Sequence, residues 1–444
     1  MSVELLSPAG SPENLHFAVS YGADAVYAGI PRWSLRVRGN GFTPEDFAHG
    51  IAETHAAGRK FYAVLNAIPH MRRLNYGNFK DTLKEIAALK PDAFIMADPG
   101  LILQARELCP EIPVHLSVQA NTVNAGSVKF WQKNGVSRCI LARELPLSEI
   151  EMIRQECPDA ELEVFVHGAL CIAVSGRCLI SGLLARRDAN TGACNNSCRW
   201  PFHVRAVHAA SAGAEGFVAD DDLCLRAELE DRANHPGEWM QAEEDCHGTY
   251  LMNSKDLCAL SVLKKLMDIG VDSLKIEGRS RSAFYVGAVT RAYRLAIDAI
   301  ERGEEIPDLS WELVNSIPSR GYTTALLEPN RPDETQDYET NSPVPGRFQV
   351  TGAISSQDED GLLHITVKNR FDCNSTLKLF TKDGMLDLDA AELRDEKSGA
   401  RTEVAPGSGY FVTLPCKHRL DLSTTVLLRD DGFKNLNWDN RVRM

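Results

Sequence analysis

Short apolar runs alternate with helix-period stretches through the first two-thirds of the chain. Residues 3–7, 25–28, 60–66, 93–98, 114–119, 138–143, 161–166, 250–253 and 273–276 read as strands, each followed by a helix-competent segment. The first helix marks its own start, with Ser11 placed as an N-cap, Pro12 at the first helical position and Glu13 in the first turn. Eight or nine such units predict a parallel α/β architecture. A TIM-type barrel is its natural closed form at this length, and an open doubly wound sheet is the alternative.

The pattern changes after Arg302. Residues 303–346 hold Pro307, Pro318, Pro329, Pro332, Pro343 and Pro345 among polar residues, which predicts a linker with a short helix near 311–317. Beyond it FQVTGAI, LLHITVKN, STLKLFT, GYFVTLP and TTVLLRD are short runs punctuated by Gly, Asp and Asn, the mark of a small all-β domain, a barrel or a sandwich. The expected organisation is therefore a TIM-barrel-like domain over 1–302, a linker over 303–346 and a β-domain over 347–444. Two insertions interrupt the barrel, a cysteine cluster at 171–198 and an acid-rich stretch at 207–246. The second has weak periodicity and reads as a solvated insertion or lid.

At 444 residues and 49.0 kDa the chain exceeds the size at which one core keeps growing, consistent with two domains. No apolar run approaches the length of a membrane span. The start, MSVELLSPAG, lacks a basic segment followed by an apolar run, so the cytoplasm is the expected compartment. A net charge of −13 argues against a general polyanion binder while leaving room for a local basic face.

Four of the 12 cysteines gather in one segment: Cys171, six residues, Cys178, fifteen residues, Cys194, three residues, Cys198. Four thiolates suit a soft centre, zinc or an iron–sulfur cluster. Disulfides would need an oxidising compartment, and structural zinc favours short CxxC-like knuckles that the first pair lacks. Radical S-adenosylmethionine chemistry would need CxxxCxxC, whose third cysteine is missing after Cys198. An iron–sulfur cluster is the favoured reading. Cys109, Cys139, Cys157, Cys258, Cys373 and Cys416 read as buried, inert residues.

In a TIM barrel chemistry sits at the C-terminal strand ends, and polar residues collect there in this chain. They include Ser7, Asn66, Asp98, Ser117, Gln119, Asn121, Arg143, Glu144, His167, Asn253, Lys255 and Asp256; for Asn121 and Asp256 a helix cap is the better reading. Lys275, Glu277 and Arg279 alternate along SLKIEGR at strand period and share a face, and Arg36 and Arg38 in SLRVR repeat the alternation. His167, Lys275 and Glu277 are the candidate catalytic residues. Arg36, Arg38, Asn66, Gln119, Arg143, Lys255 and Arg279 are the candidate substrate ligands, suited to a carboxylate-bearing small molecule or to nucleic-acid phosphates. Neither HExxH nor GxSxG is present.

The segment EVFVHGALCIAVSGRCLIS resembles the signature of the collagenase-like proteins, peptidase family U32, and ELLSPAG, YGADAVYAG, HLSVQA and SLKIEGR match that family elsewhere. With PRWSLRVR, HGTYLMNSKDL, RGYT and the terminal β-domain, the resemblance spans nearly the whole chain and is to the tRNA-hydroxylating branch. It implies an iron–sulfur protein, with Cys171, Cys178, Cys194 and Cys198 as ligands of a four-iron four-sulfur cluster, that installs the oxygen of 5-hydroxyuridine at the wobble position of the tRNA anticodon loop. It also implies prephenate, a dicarboxylate, as cosubstrate or ligand, and iron–sulfur assembly proteins as partners. The 207–246 stretch and DCNSTLKL depart from the family pattern. Two other readings compete: a peptidase using a Cys171 and His167 dyad, and a non-catalytic iron–sulfur scaffold, for which the charged strand ends have no use.

Overall fold

The computed structural model describes residues 2–31, 33–35, 41–70, 76–170, 173–174, 202–206, 226–231, 239–245, 248–249, 254–329 and 346–432. Eight strands, β1 (Glu4–Ala9), β2 (Ala25–Gly29), β3 (Lys60–Leu65), β4 (Ala93–Met96), β5 (Val114–Leu116), β6 (Arg138–Ile140), β7 (Glu161–Gly168) and β8 (Ser273–Ile276), run parallel, each beside the next. β8 pairs with both β7 and β1, so the sheet closes into a TIM-like barrel and the open-sheet alternative falls. Helices α1 (Pro12–Ser20), α2 (Pro44–Ala56), α3 (Tyr76–Ala88), α4 (Pro99–Leu108), α5 (Ala125–Lys133), α6 (Leu147–Glu156), α7 (Leu263–Ile269) and α8 (Ala283–Glu301) connect and cover it.

Local chemistry sets the helix starts. Ser11 accepts from the Asn14 amide, Thr43 and Asp46 form a capping box on α2, and Asp98 accepts from the Leu101 amide at 3.0 Å. Asp98 is thus a cap of α4. The expected ninth unit, 250–253, lies outside the described residues; the strand that follows it, Asp256–Cys258, runs antiparallel onto the end of β7 and takes Tyr322–Thr323 as its parallel neighbour. Asp256 caps nothing: its buried carboxylate is held by Arg320, with Arg281 3.8 Å away.

The barrel interior is ionic. Lys275 Nζ donates to Glu163 Oε1 at 2.7 Å, Arg138 Nη1 donates to Glu163 Oε2 at 3.3 Å and to Glu4, and Tyr62 Oη donates to Glu4 at 2.7 Å. Glu163 is 0% and Lys275 3% exposed, so neither charge has water to stabilise it. The Lys275 ammonium also lies 4.3 Å from the Tyr27 ring centroid. Burial draws the Lys275 pKa below its ordinary value, opposed by Glu163. Burial would raise Glu4, but the charge and hydrogen bonds of Arg138 outweigh it and hold the carboxyl low. His115, edge-on to Tyr62, is kept neutral by burial and by the Arg138 and Lys275 cations.

The end of β7 changes phase. Phe165 pairs with Lys275 and His167 with Ile276, so Val166 is an extra residue, a bulge. Strict alternation from Glu163 and Phe165 would aim His167 at the barrel axis; the bulge turns it outward beneath α8. There its ring meets Tyr293, Tyr285 and Tyr322 at 5.6, 6.0 and 5.4 Å between centroids. Burial pulls its pKa down to about 3. Ser7 also faces away from the axis, bonded to Thr290 of α8 at 2.7 Å.

Two expectations are corrected. The acid-rich stretch forms antiparallel strands: Arg226–Asp231 pairs with Phe202–Ala206 on one side and Trp239–Asp245 on the other. The period-two alternation in RAELED was masked by its acid content. The first part of the 303–346 stretch is packed structure and not a linker: the short helix expected near 311–317 is present as α9 (Asp308–Asn315), three residues earlier at its start, and buries Ser310, Leu313 and Val314. Pro307 stands at its N-cap, starting an element instead of spacing two.

The C-terminal region is antiparallel: a seven-stranded sheet with Phe348–Gln357 at its centre, plus a ribbon of Phe371–Asp372 and Val404–Ala405. It has its own apolar cluster, including Leu363, Ile365, Leu379 and Leu427. It docks on α1 and α8 through Phe380, whose ring stacks on Tyr21 at 4.7 Å and meets Phe284 edge-on at 5.5 Å. Tyr21 Oη donates to the Thr424 carbonyl at 2.8 Å.

Lys275→Met alone leaves Glu163 buried with half its compensation and should cost about 3–5 kcal/mol in urea unfolding, whereas the Glu163→Gln, Lys275→Met double variant should recover more than half of that loss. Simple additivity would contradict the pairing. His167 is neutral when folded and protonates below pH 6.5 when unfolded, so its contribution is complete above pH 6.5 and is lost as pH falls toward about 3. Between pH 8 and pH 5 the stability lost by wild type should exceed that lost by His167→Gln by about 2 kcal/mol, measured by chemical denaturation.

Candidate active site

At the C-terminal mouth of the barrel, Phe165 is the last inward residue of β7 before the bulge. The Arg143 guanidinium lies over its ring at 3.8 Å, and Arg143 Nη1 donates to the Ala169 carbonyl at 2.9 Å. Glu277 Oε2 accepts from the Ala169 amide at 3.2 Å, so both backbone groups of one residue past the bulge are held by side chains from the loops after β6 and β8. Gly168 makes this approach possible: its φ is +113°, and a Cβ there would lie 2.6 Å from the Glu277 carbonyl oxygen.

Across the mouth, Arg279 Nη2 donates to the Leu35 carbonyl at 2.6 Å and its guanidinium lies 5.9 Å from the Tyr27 ring centroid. Gly29 leaves room for it, since a Cβ would come within 2.4 Å of Arg279 Nη1. Asn66 ties two loops, accepting from the Leu35 amide and donating to Ser117 Oγ, both at 3.1 Å. Gln119 is buried in the short turn Val118–Ala120 above Ser117, and Asn121 ends that turn in a left-handed conformation. The alternation of Lys275, Glu277 and Arg279 is thus resolved in depth, with Lys275 inside the barrel and the other two at its rim.

Arg143, Glu277, Arg279, Asn66 and Gln119 belong to this mouth, and Lys275 lies below it. Lys255 stands one strand out from β7, beside Gly321. His167 is on the far side of the sheet. Arg36, Arg38, Asn253, Cys171, Cys178, Cys194 and Cys198 lie outside the described residues. Among the described residues no group of three or more His, Cys, Asp or Glu is placed to hold a metal ion. The remaining cysteines are unreactive where burial acts on them: it pushes Cys139 up to about 12 and Cys258 up to about 11.

Among the described residues, Arg143 Nε after β6, Ser34 Oγ after β2 and Thr122 Oγ1 after β5 are buried without a hydrogen-bond partner. Such atoms also occur away from this end, at Arg154, Arg294 and Ser310, so it is the two guanidinium groups that give the mouth its character. Planar guanidinium donors favour a carboxylate or a phosphate. Sequence reasoning missed the layer beneath, Glu4, Arg138, Glu163 and Tyr27. Its signal was present in ELEVF, where Glu161, Glu163 and Phe165 share one face of a strand that should have been apolar.

The family model for peptidase family U32 matches residues 10–337, and that for the peptidase family U32 C-terminal domain matches 347–429. The chain is 44% identical to tRNA hydroxylation protein P of Escherichia coli (strain K12), over 96% of each chain. It is 33% identical to the 23S rRNA 5-hydroxycytidine C2501 synthase of the same strain, over 68% of this chain and 40% of that one. A collagenase of Porphyromonas gingivalis (strain ATCC BAA-308 / W83) is 32% identical over 68% of this chain and 66% of its own. With a barrel and a C-terminal domain that both match, the chain belongs to peptidase family U32.

Proposed function

We propose that this protein hydroxylates tRNA, converting the wobble uridine of anticodon loops to 5-hydroxyuridine, with an iron–sulfur cluster on Cys171, Cys178, Cys194 and Cys198 and prephenate as cosubstrate or ligand. The observation that carries this reading is similarity along the whole chain, C-terminal domain included, to a tRNA hydroxylation protein. The collagenase shares about two-thirds of the chain.

The mouth supports the same reading. An anticodon-loop base is already single-stranded, so presenting it to the barrel costs less than opening a duplex. Arg143 and Arg279 offer fork-shaped donors to a carboxylate or phosphate at the rim. Glu277 and Arg143 hold the amide and the carbonyl of Ala169, which ties down the rim where the cysteine-bearing segment begins. That segment leaves the barrel at Gly168 and the chain pairs again with β7 at Leu257, so both its ends lie at one edge of the mouth. Four thiolates whose first pair lacks a short CxxC-like knuckle fit an iron–sulfur cluster better than zinc. When bound, such a cluster would supply a redox-active centre.

A cysteine peptidase would need a base beside its thiol. His167, the expected partner, is enclosed by three tyrosines on the opposite face of the sheet, and burial, which pulls its pKa down to about 3, makes it a weak base. This favours hydroxylation over proteolysis.

Deleting the gene should remove 5-hydroxyuridine-derived nucleosides from tRNA, as read by mass spectrometry of digested tRNA, and the purified protein should leave gelatin intact. Gelatin cleavage with unchanged tRNA nucleosides would reverse the choice. Protein purified without oxygen should contain iron and sulfide and absorb in the visible; the Cys171→Ser, Cys178→Ser variant should lose both. An iron-free, colourless wild type would remove the cluster.

A further inference from the structure

A cleft of about 460 Å³ separates the loop after β8 from the C-terminal sheet. We propose that it seats the ribose–phosphate backbone of the RNA next to the reacting nucleotide. This rests on the reading of the protein as an RNA-modifying enzyme and gives the C-terminal domain a part in it.

Charge is the first observation. Arg279 and Arg281 from the barrel and Lys368 from the C-terminal domain line the cleft, with Glu13 the one carboxylate among its lining residues. Asp256, behind the lining and 3.8 Å from Arg281, offsets part of this charge, yet the lining itself still runs against the sign of a chain of net charge −13. Arg281 lies over the Tyr285 ring at 5.2 Å, which orients its guanidinium. Lys368 is exposed on the turn that ends strand Leu362–Val367, its backbone fixed by a 2.8 Å bond from its amide to the Thr351 carbonyl.

The second observation is the lining between those cations. The N-terminus of the 19-residue α8, with Ser282 at its cap, opens into the cleft, as does the backbone at Gly10. Helix N-terminal amides and glycine backbone are donors that accompany Lys and Arg on phosphate oxygens.

Continuity is the third. Arg279 lines the cleft and also reaches into the mouth, bonded to the Leu35 carbonyl and close to Tyr27. A strand lying in the cleft therefore passes a guanidinium that borders the barrel opening, and its next nucleotide faces the mouth. Phosphate contacts position without reading sequence, the part a C-terminal domain can play for a base selected in the barrel.

The test is fluorescence anisotropy of labelled, unmodified tRNA titrated with the full-length protein across a salt series. Lys368→Glu is compared with Lys417→Glu, the same charge change at an exposed lysine of the same domain outside the cleft. Lys368→Glu should weaken binding by about tenfold at ~0.1 M salt and reduce the slope of log affinity against log salt by about one, with Lys417→Glu within about twofold of wild type. Equal losses in both variants, or none at Lys368→Glu, would overturn the cleft assignment and leave the RNA reading standing. A wild type that binds no tRNA at any salt would overturn that reading and this inference together.

Discussion

The barrel depends on neutralising charge where water does not reach. Glu163 sits between Lys275 and Arg138, and Arg138 reaches on to Glu4. Removing any one member strands another in a low-dielectric interior, so the network specifies strands β1, β6, β7 and β8 as a set. An apolar interior would tolerate a slipped register with modest repacking; this one would place like charges together or leave them alone. The same network keeps His115 neutral and aligns the Lys275 ammonium with the Tyr27 ring. The mouth is therefore built on a floor of mutually neutralised charges.

A second device works on that floor. One extra residue, Val166, separates two jobs that strict alternation would have merged. Up to Phe165 the strand serves the barrel axis; from His167 onward it serves the packing beneath α8. Gly168 then releases the chain at the rim in a conformation that a side chain would obstruct.

Much of this was legible. The eight staves and the helix starts at Ser11 and Pro12 followed from periodicity and capping chemistry, because both are local. The closing pair β1 and β8 was readable only as an expectation from element count, since register across 269 residues leaves no local trace. Of the candidate site, Arg143, Glu277, Arg279 and Asn66 were recognisable as polar residues past strand ends. His167 looked the same by that criterion and proved different, because a bulge is a relation between two strands and neither shows it alone. Glu163 and Arg138 were overlooked for the opposite reason: charged residues inside a strand suggest an exposed face until the partner that buries them is known. Asp256 stood where a cap would stand, and its partner Arg320 was hidden in a stretch that read as linker.

The chain leaves β7 at Gly168 and pairs again with that same position through Leu257, so the intervening residues form a closed excursion from one edge of the barrel. Loop closure depends weakly on length once the ends are pinned. Residues can therefore be gained or lost in the excursion without altering the register of any stave. The eight staves are thus specified independently of the length of chain between Gly168 and Leu257. A lineage could exchange the chemistry carried there while inheriting the barrel, with its charged interior, intact.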